Sequence, residues 1–359
     1  MAFLCANVND CGDKLKKDIK SYTFLELKRK IVEMGLPAFR ASQIYKWLHQ
    51  RFVTSFEEMT DLSVKLREQL DETFYINRLE IKKKLVSKID GTTKYLFGLM
   101  DGESVESVVM RYKHGNTICI SSQVGCKMGC KFCASTLGGK IRDLTASELE
   151  DQIIFAQKDL NEKISNIVMM GIGEPLDNFE NVCDFLENIS SEEGQNISLR
   201  HLSLSTCGVC DKIELLADKK LQLTLSISLH APTDVIRNTI MPINKKWNVQ
   251  ELINVCRKYI EKTGRRISFE YALINGVNDT DECAKILCEK LKGMVAHVNL
   301  IPVNEVKERA FQKSTKLRVN KFCDILNKNG ITATVRRKLG SDIEAACGQL
   351  RRENAQKNS

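Results

Sequence analysis

Cys126, Cys130 and Cys133 stand within eight residues of one another in GCKMGCKFCAS, a C-x3-C-x2-C spacing with Gly125 and Gly129 placed to turn the loop. A lone cysteine is usually an inert part of a core, but three gathered in a glycine-containing loop point to a metal group. A structural zinc ion asks for four closing ligands, usually two C-x2-C pairs far apart in the chain. No second pair with an evident partner accompanies these three. Iron–sulfur clusters are anchored by cysteine thiolates. Three thiolates on a [4Fe-4S] cluster leave one iron without a protein ligand and open to a substrate or cofactor.

Four more blocks carry polar chemistry. MGIGEPLDN holds Gly171, Gly173, Glu174 and Pro175; LSTCGV holds Ser205; SISLHAP holds Ser228, Leu229 and His230; NLIPVN holds Asn299 and Asn304. Glycines let backbone approach a ligand, while serine, asparagine and carboxylate groups suit the ribose hydroxyls, amino group and carboxylate of a nucleoside cofactor. Any one block alone reads as a turn or a piece of core. Each of them closes a strand-like run, and that recurrence makes a site. A last block, IEAACGQL with Cys347, follows the final strand and is matched by Cys119 in ICISSQVGC.

The elements that must position these residues follow from periodicity. From Thr23 to about Phe74, apolar residues recur at helical steps in TFLELKRKIVEMG, RASQIYKWLHQRF and DLSVKLREQLDETF. Strand-like runs divided by Asp90-Gly91 and Asp101-Gly102 then predict hairpins. From Thr117 onward strand and helix alternate about six times, which implies a parallel sheet with helical crossovers. Barrel and doubly wound sheet share this pattern. In both, the chemistry sits at the carboxyl ends of the strands.

Composition sets the outer limits. The 359 residues are 43% hydrophobic and 28% charged, with 14 cysteines, which fits a globular chain and excludes a disordered or disulfide-stapled one. No long apolar core follows a basic start and no run of ~18 apolar residues occurs, so a cytoplasmic protein without a membrane span is expected. The net charge is +8, with both ends of the chain basic and the middle acidic, a distribution that suits a polyanion touching both ends. In the helical front, Lys28, Arg29, Lys46, Arg51 and Lys65 interleave with Tyr45 and Trp47, and residues 82–84 add three lysines. Such a surface offers phosphate contacts and aromatic stacking to RNA.

The cysteine spacing, with Phe132 before the last cysteine, resembles the radical S-adenosylmethionine (SAM) superfamily. The remaining blocks, together with PAFRASQIYKWLHQR and SFEEMTDLS near the start, resemble the RlmN/Cfr family of RNA methyltransferases over nearly the whole chain. That resemblance implies an α/β fold: a partial (β/α)6 barrel over 116–350, an N-terminal helical RNA-binding domain over 1–76, an antiparallel β extension over 77–115 and a polar tail over 351–359. It implies one [4Fe-4S] cluster on Cys126, Cys130 and Cys133, and SAM held by Gly173, Glu174, Ser205, Ser228, Leu229, His230 and Asn304, two molecules per turnover. The partners implied are 23S ribosomal RNA, transfer RNA and an electron donor such as flavodoxin or ferredoxin, with the chain working as a monomer.

The family's chemistry answers a specific difficulty. C2 of adenine is electron-poor and has no lone pair for polar methyl transfer. The resemblance implies that Cys347 takes a methyl group from one SAM and that a 5′-deoxyadenosyl radical from a second removes hydrogen from it. The carbon radical adds to C2, and Cys119 releases the RNA by forming a disulfide with Cys347. Arg336, Arg337 and Lys338 near Cys347 in sequence favour a thiolate, and Glu106 in SVESVV matches a family carboxylate able to accept a proton. The C8-methylating branch reads GMGEALAN and STIG where this chain has GIGEPLDN and STCG, which favours C2. The competing readings are a Cfr-like C8 enzyme, a radical SAM enzyme with a non-RNA substrate and a zinc-dependent RNA-binding module. The other cysteines, including the C-x2-C pair Cys207 and Cys210, read as structural.

Overall fold

The computed structural model describes residues 16–303 and 310–343. Helix α1 (Phe24–Glu33) begins with a capping box: Thr23 Oγ1 accepts from the Glu26 amide at 3.4 Å and the Glu26 carboxylate accepts from the Thr23 amide at 2.9 Å. It is followed by α2 (Phe39–His49) and α3 (Val64–Thr73). Leu27, Ile31, Ile44, Leu48, Leu66 and Leu70 turn inward to form a core of their own. Short strands β1 (Lys17–Asp18) and β2 (Phe74–Tyr75) pair in parallel and close this unit at its two ends.

Tyr45 and Trp47 depart from the stacking expectation. Tyr45 is fully buried with its hydroxyl on Asn188 at 3.0 Å, and Trp47 donates to Asp61 at 2.6 Å beneath the Arg51 guanidinium. Their apolar area goes into the helical core, so they present no platform to a base. Lys28, Arg29, Lys46 and Lys65 remain exposed.

The second core belongs to one ten-stranded sheet. Strands β3 (Glu80–Val86), β4 (Thr93–Gly98), β5 (Ser104–Tyr112) and β6 (Gly115–Cys119) run antiparallel. Gly91 and Gly102 make two of their turns at φ 71° and 89°, values that cost a glycine little. A small hairpin of β7 (Gln123–Gly125) and β8 (Lys140–Asp143) then brackets the cysteine loop. After it come α4 (Ala146–Leu160), β9 (Ile164–Met169), α5 (Phe179–Ser190), β10 (Leu202–Thr206), α6 (Cys210–Asp218), β11 (Thr224–Ser228), α7 (Asp234–Ile240), α8 (Val249–Thr263) and β12 (Ile267–Leu273). The described chain continues through α9 (Asp281–Leu291), β13 (Ala296–Pro302), α10 (Lys316–Lys328) and β14 (Ala333–Val335).

The strand order is β14-β13-β12-β11-β10-β9-β6-β5-β4-β3, with β6 antiparallel to β5 but parallel to β9, and β9 and every later strand parallel to its neighbours. β14 and β3 lie at opposite ends, so the α/β architecture that the resemblance implies is present as an open sheet, not a closed barrel. The antiparallel segment is no separate layer: through β6 it continues the parallel sheet. The triple lysine 82–84 lies on β3 at the sheet edge, where charge also discourages pairing with another chain. Helices α6 and α7 and the β7–β8 hairpin were not anticipated, being too short to show a full apolar period. Among the described residues no helix is long and apolar enough to cross a membrane.

Buried polar contacts join the helical unit to the sheet unit. Lys20 pairs with Asp151, Asp18 accepts from Ser147, and His49 meets Glu150 at 2.8 Å with both side chains fully buried. Burial opposes ionisation of Glu150, but His49 and Lys20 outweigh it and lower its pKa.

Candidate active site

At the carboxyl ends of the parallel strands lies a cavity of about 280 Å³, near the lower bound of roughly 300 Å³ for ligand pockets. Its walls include Cys126, Cys130, Cys133, Gly173, Glu174, Ser205, Ser228 and His230. Four of the sequence blocks, separated by up to a hundred residues, therefore converge as the strand-end rule requires.

The cysteine loop is fixed by backbone. Gly125 sits at φ 78°, and a Cβ there would stand 1.9 Å from the Gly139 carbonyl oxygen, so the position admits only glycine. Cys126 N–H donates to that same oxygen at 2.9 Å, Cys133 N–H to Cys130 O at 3.1 Å, and Lys131 N–H to Ile240 O at 2.8 Å. Burial pushes the Cys126 thiol up to about 12 and the Cys130 thiol higher still. Free thiolates are disfavoured here, and binding a metal group is what deprotonates such ligands. Among the described residues no three His, Cys, Asp or Glu side chains are grouped so as to hold a single metal ion. Three cysteines converging on one cavity suit an inorganic unit met at three corners.

Gly171 and Gly173 line the cavity and also meet a packing demand within the chain. A Cβ on Gly171 would lie 2.6 Å from Ile120 O, and one on Gly173, at φ 110°, would lie 2.7 Å from Gln123 N. They let the 171–174 turn press against the 120–123 segment, so chain-to-chain packing requires them. Glu174 is buried there, its carboxylate accepting from Cys207 N–H at 2.7 Å and Leu176 N–H at 3.0 Å. Desolvation dominates and raises its pKa.

Ser205 and Ser228 place their hydroxyls 3.4 Å apart across β10 and β11. His230 adopts φ 56°, accepts from Ala272 N–H on Nδ1 at 2.9 Å and meets Phe132 edge-on at 4.9 Å. Burial, and secondarily Arg237, lower its pKa to about 3, so the ring is neutral with its proton on Nε2. Leu229 is buried but does not line the cavity; its carbonyl accepts from Arg237.

Cys119, at the end of β6, and Glu106, on β5, are also absent from the cavity walls. Glu106 is 2% exposed and ion-paired with the equally buried Lys94 at 3.1 Å. Burial raises the Cys119 thiol, opposed chiefly by Arg336. Asn304 and Cys347 lie outside the described residues. The cavity walls also hold Cys207, which the sequence reads as structural, Arg336, which it reads only as a neighbour of Cys347, and Glu270, which it does not single out. Glu270 had left a signal, a carboxylate inside the apolar run RISFEYALI. It is buried, holds Asn299 at 2.7 Å and Ser268 at 3.0 Å, and its pKa is raised by desolvation.

Asp177 ties the loop to the 171–178 turn by accepting from Lys127 at 2.7 Å, Lys140 at 2.9 Å and Gln123 at 2.9 Å. Burial pushes this carboxyl up, but those donors outweigh it and hold it at about 2. A carboxyl depressed below its unfolded value of roughly 4 stabilises the fold above that pH and loses its contribution as pH falls toward 2. Asp177→Asn is expected to cost about 1 kcal/mol at neutral pH, a modest figure because Lys127 faces solvent. The difference from wild type should shrink below pH 4 in urea denaturation.

Comparison with known proteins agrees with this architecture. Residues 17–76 match the family model of the ribosomal RNA large subunit methyltransferase N-terminal domain, and residues 120–286 match that of the radical SAM superfamily. A Clostridium perfringens protein named "Probable dual-specificity RNA methyltransferase RlmN" is 55% identical over 94% of this chain and 97% of its own length. A Lachnospira eligens protein of the same name is 54% identical over 93% of this chain and 95% of its own. The crystal structure of a radical SAM methyltransferase from Sphaerobacter thermophilus superposes with a TM-score of 0.87 at 39% identity, covering 93% of this chain and 98% of that one.

Proposed function

Because the chain belongs to the RlmN family of radical SAM RNA methyltransferases, which work with a [4Fe-4S] cluster and SAM, we propose that it methylates C2 of an adenine in 23S ribosomal RNA and of an anticodon-loop adenine in transfer RNA. The observation that carries this reading is the single cavity shared by Cys126, Cys130, Cys133, Glu174, Ser205, Ser228 and His230. The three cysteines hold the cluster. Gly173, Glu174, Ser205, Ser228, His230 and Asn304 hold SAM, with Leu229 packed behind them, two molecules being used per turnover. When bound, the cluster supplies the single electron that cleaves SAM.

The chain's own residues then divide the work. The Ser205 and Ser228 hydroxyls suit a ribose, and the neutral His230 ring, fixed by Ala272 and Phe132, closes the wall beside them. Cys347 carries the methyl group as a thioether, and Cys119 later displaces the product by forming a disulfide with it. Burial raises the Cys119 thiol, and Arg336, which lines the cavity, opposes that rise, which supports the second role. Glu106 accepts a proton, held in place by Lys94. The basic helical front of residues 1–76 contacts RNA through phosphate, the antiparallel strands of 77–115 join it to the core of 116–350, and a low-potential carrier such as flavodoxin or ferredoxin delivers the electron to a cytoplasmic monomer.

GIGEPLDN and STCG support C2 over C8. Mass spectrometry of digested ribosomal and transfer RNA, treated with reconstituted enzyme, is expected to show 2-methyladenosine in both. Appearance of 8-methyladenosine alone would assign the chain to the C8 branch.

A further inference from the structure

Arg237, on α7, is the largest side chain in the molecule that solvent does not reach. Its guanidinium donates to Leu229 O at 3.0 Å, Cys207 O at 2.7 Å, Ser228 O at 3.2 Å and Asn244 Oδ1 at 3.1 Å. All four acceptors are neutral, and among the described residues Arg237 forms no ion pair. Asp234, at the exposed start of the same helix, is reached only through the Asn244 amide, which donates to it at 3.0 Å. A charge taken out of water without a charged partner is costly, and hydrogen bonds to carbonyls satisfy its donors without cancelling its charge.

The geometry points to the missing partner. Cys207 and Ser228, whose carbonyls Arg237 grips, are walls of the cavity that Cys130 also lines. Lys131, next to Cys130, is bonded to Ile240 at the end of α7. Burial lowers the Arg237 pKa, opposed by the sulfur positions of Cys207, Cys130 and Cys210 ahead of Asp234. A cluster on three thiolates is anionic overall, and one added electron makes it more so.

We propose that Arg237 is a positioning residue whose fixed positive charge balances the cluster and stabilises its reduced form, raising its midpoint potential. Net charge and surrounding donors are among the levers by which a protein sets such a potential. The step concerned is uptake of one electron from a low-potential one-electron reductant, with no bond made or broken. The inference rests on Cys126, Cys130 and Cys133 holding the cluster.

The test is an anaerobic redox titration of reconstituted protein with dithionite, followed by electron paramagnetic resonance, with iron and sulfide counted and cluster-free stability measured in urea. Arg237→Lys keeps the charge and is expected to hold a potential near wild type, even where it loses stability. Arg237→Gln removes the charge and is expected to shift the potential downward. A glutamine variant with full iron and sulfide and a wild-type potential would overturn the proposal. Should that variant not fold, Asp234→Asn reads the same field with opposite sign at low ionic strength: a rise supports the proposal and an unchanged or lower value overturns it. Failure of the wild type to take up a cluster would instead sink the cysteine assignment on which the inference rests.

Discussion

Cys347→Ala protein, reconstituted anaerobically, is expected to cleave SAM under reduction yet leave RNA unmethylated to the limit of detection. On the proposed reading the target is the electron-poor C2 of adenine, which cannot take a methyl group by polar transfer, so the group waits on a sulfur that tolerates loss of a hydrogen atom. Alanine offers no such sulfur, and the cysteines that line the cavity are committed to the proposed cluster or, as Cys207, buried against Glu174. SAM cleavage needs only the three-cysteine loop and the strand-end residues, which this substitution leaves in place. Methylation by the alanine variant would remove the relay from the account while leaving the radical chemistry intact.

The second large effect belongs to Cys130→Ala. Cys130 is half-buried, and its carbonyl, not its sulfur, accepts the loop's internal bonds from Cys133 and Thr136. Truncation should therefore cost on the order of 1–2 kcal/mol of stability or less, leaving a folded chain. Cluster loading should nevertheless collapse, since two thiolates cannot hold what three were arranged to meet, and both SAM cleavage and methylation should vanish together. Iron and sulfide analysis beside circular dichroism separates these effects. A variant that keeps its full iron content would show that the loop is not the anchor.

Much of this was legible in the chain because the chemistry is packed into contiguous motifs. The cysteine loop, SLH and GIGEP each carry their residues within a few positions, and periodicity located the strands that bring them together. What escaped reading depends on register. Glu270 lies opposite Ser228 because β12 pairs with β11 in that alignment, and Arg336 reaches the cavity only because β14 ends beside β13. The glycines of GIGEP carry a second demand that the motif did not show, the close approach of the 120–123 segment, since a missing side chain does not say which neighbour it admits. Tyr45 and Trp47 looked available to RNA because helical spacing alone did not fix which way α2 would turn.

The central claim is that three cysteines hold a four-iron cluster whose fourth iron faces SAM in this cavity. The most direct measurement reconstitutes the wild-type protein anaerobically, counts iron and sulfide, and follows SAM after adding dithionite. The account expects four irons and four sulfides per chain and release of 5′-deoxyadenosine. Stoichiometric zinc without sulfide, or a loaded cluster that leaves SAM whole under reduction, would contradict it.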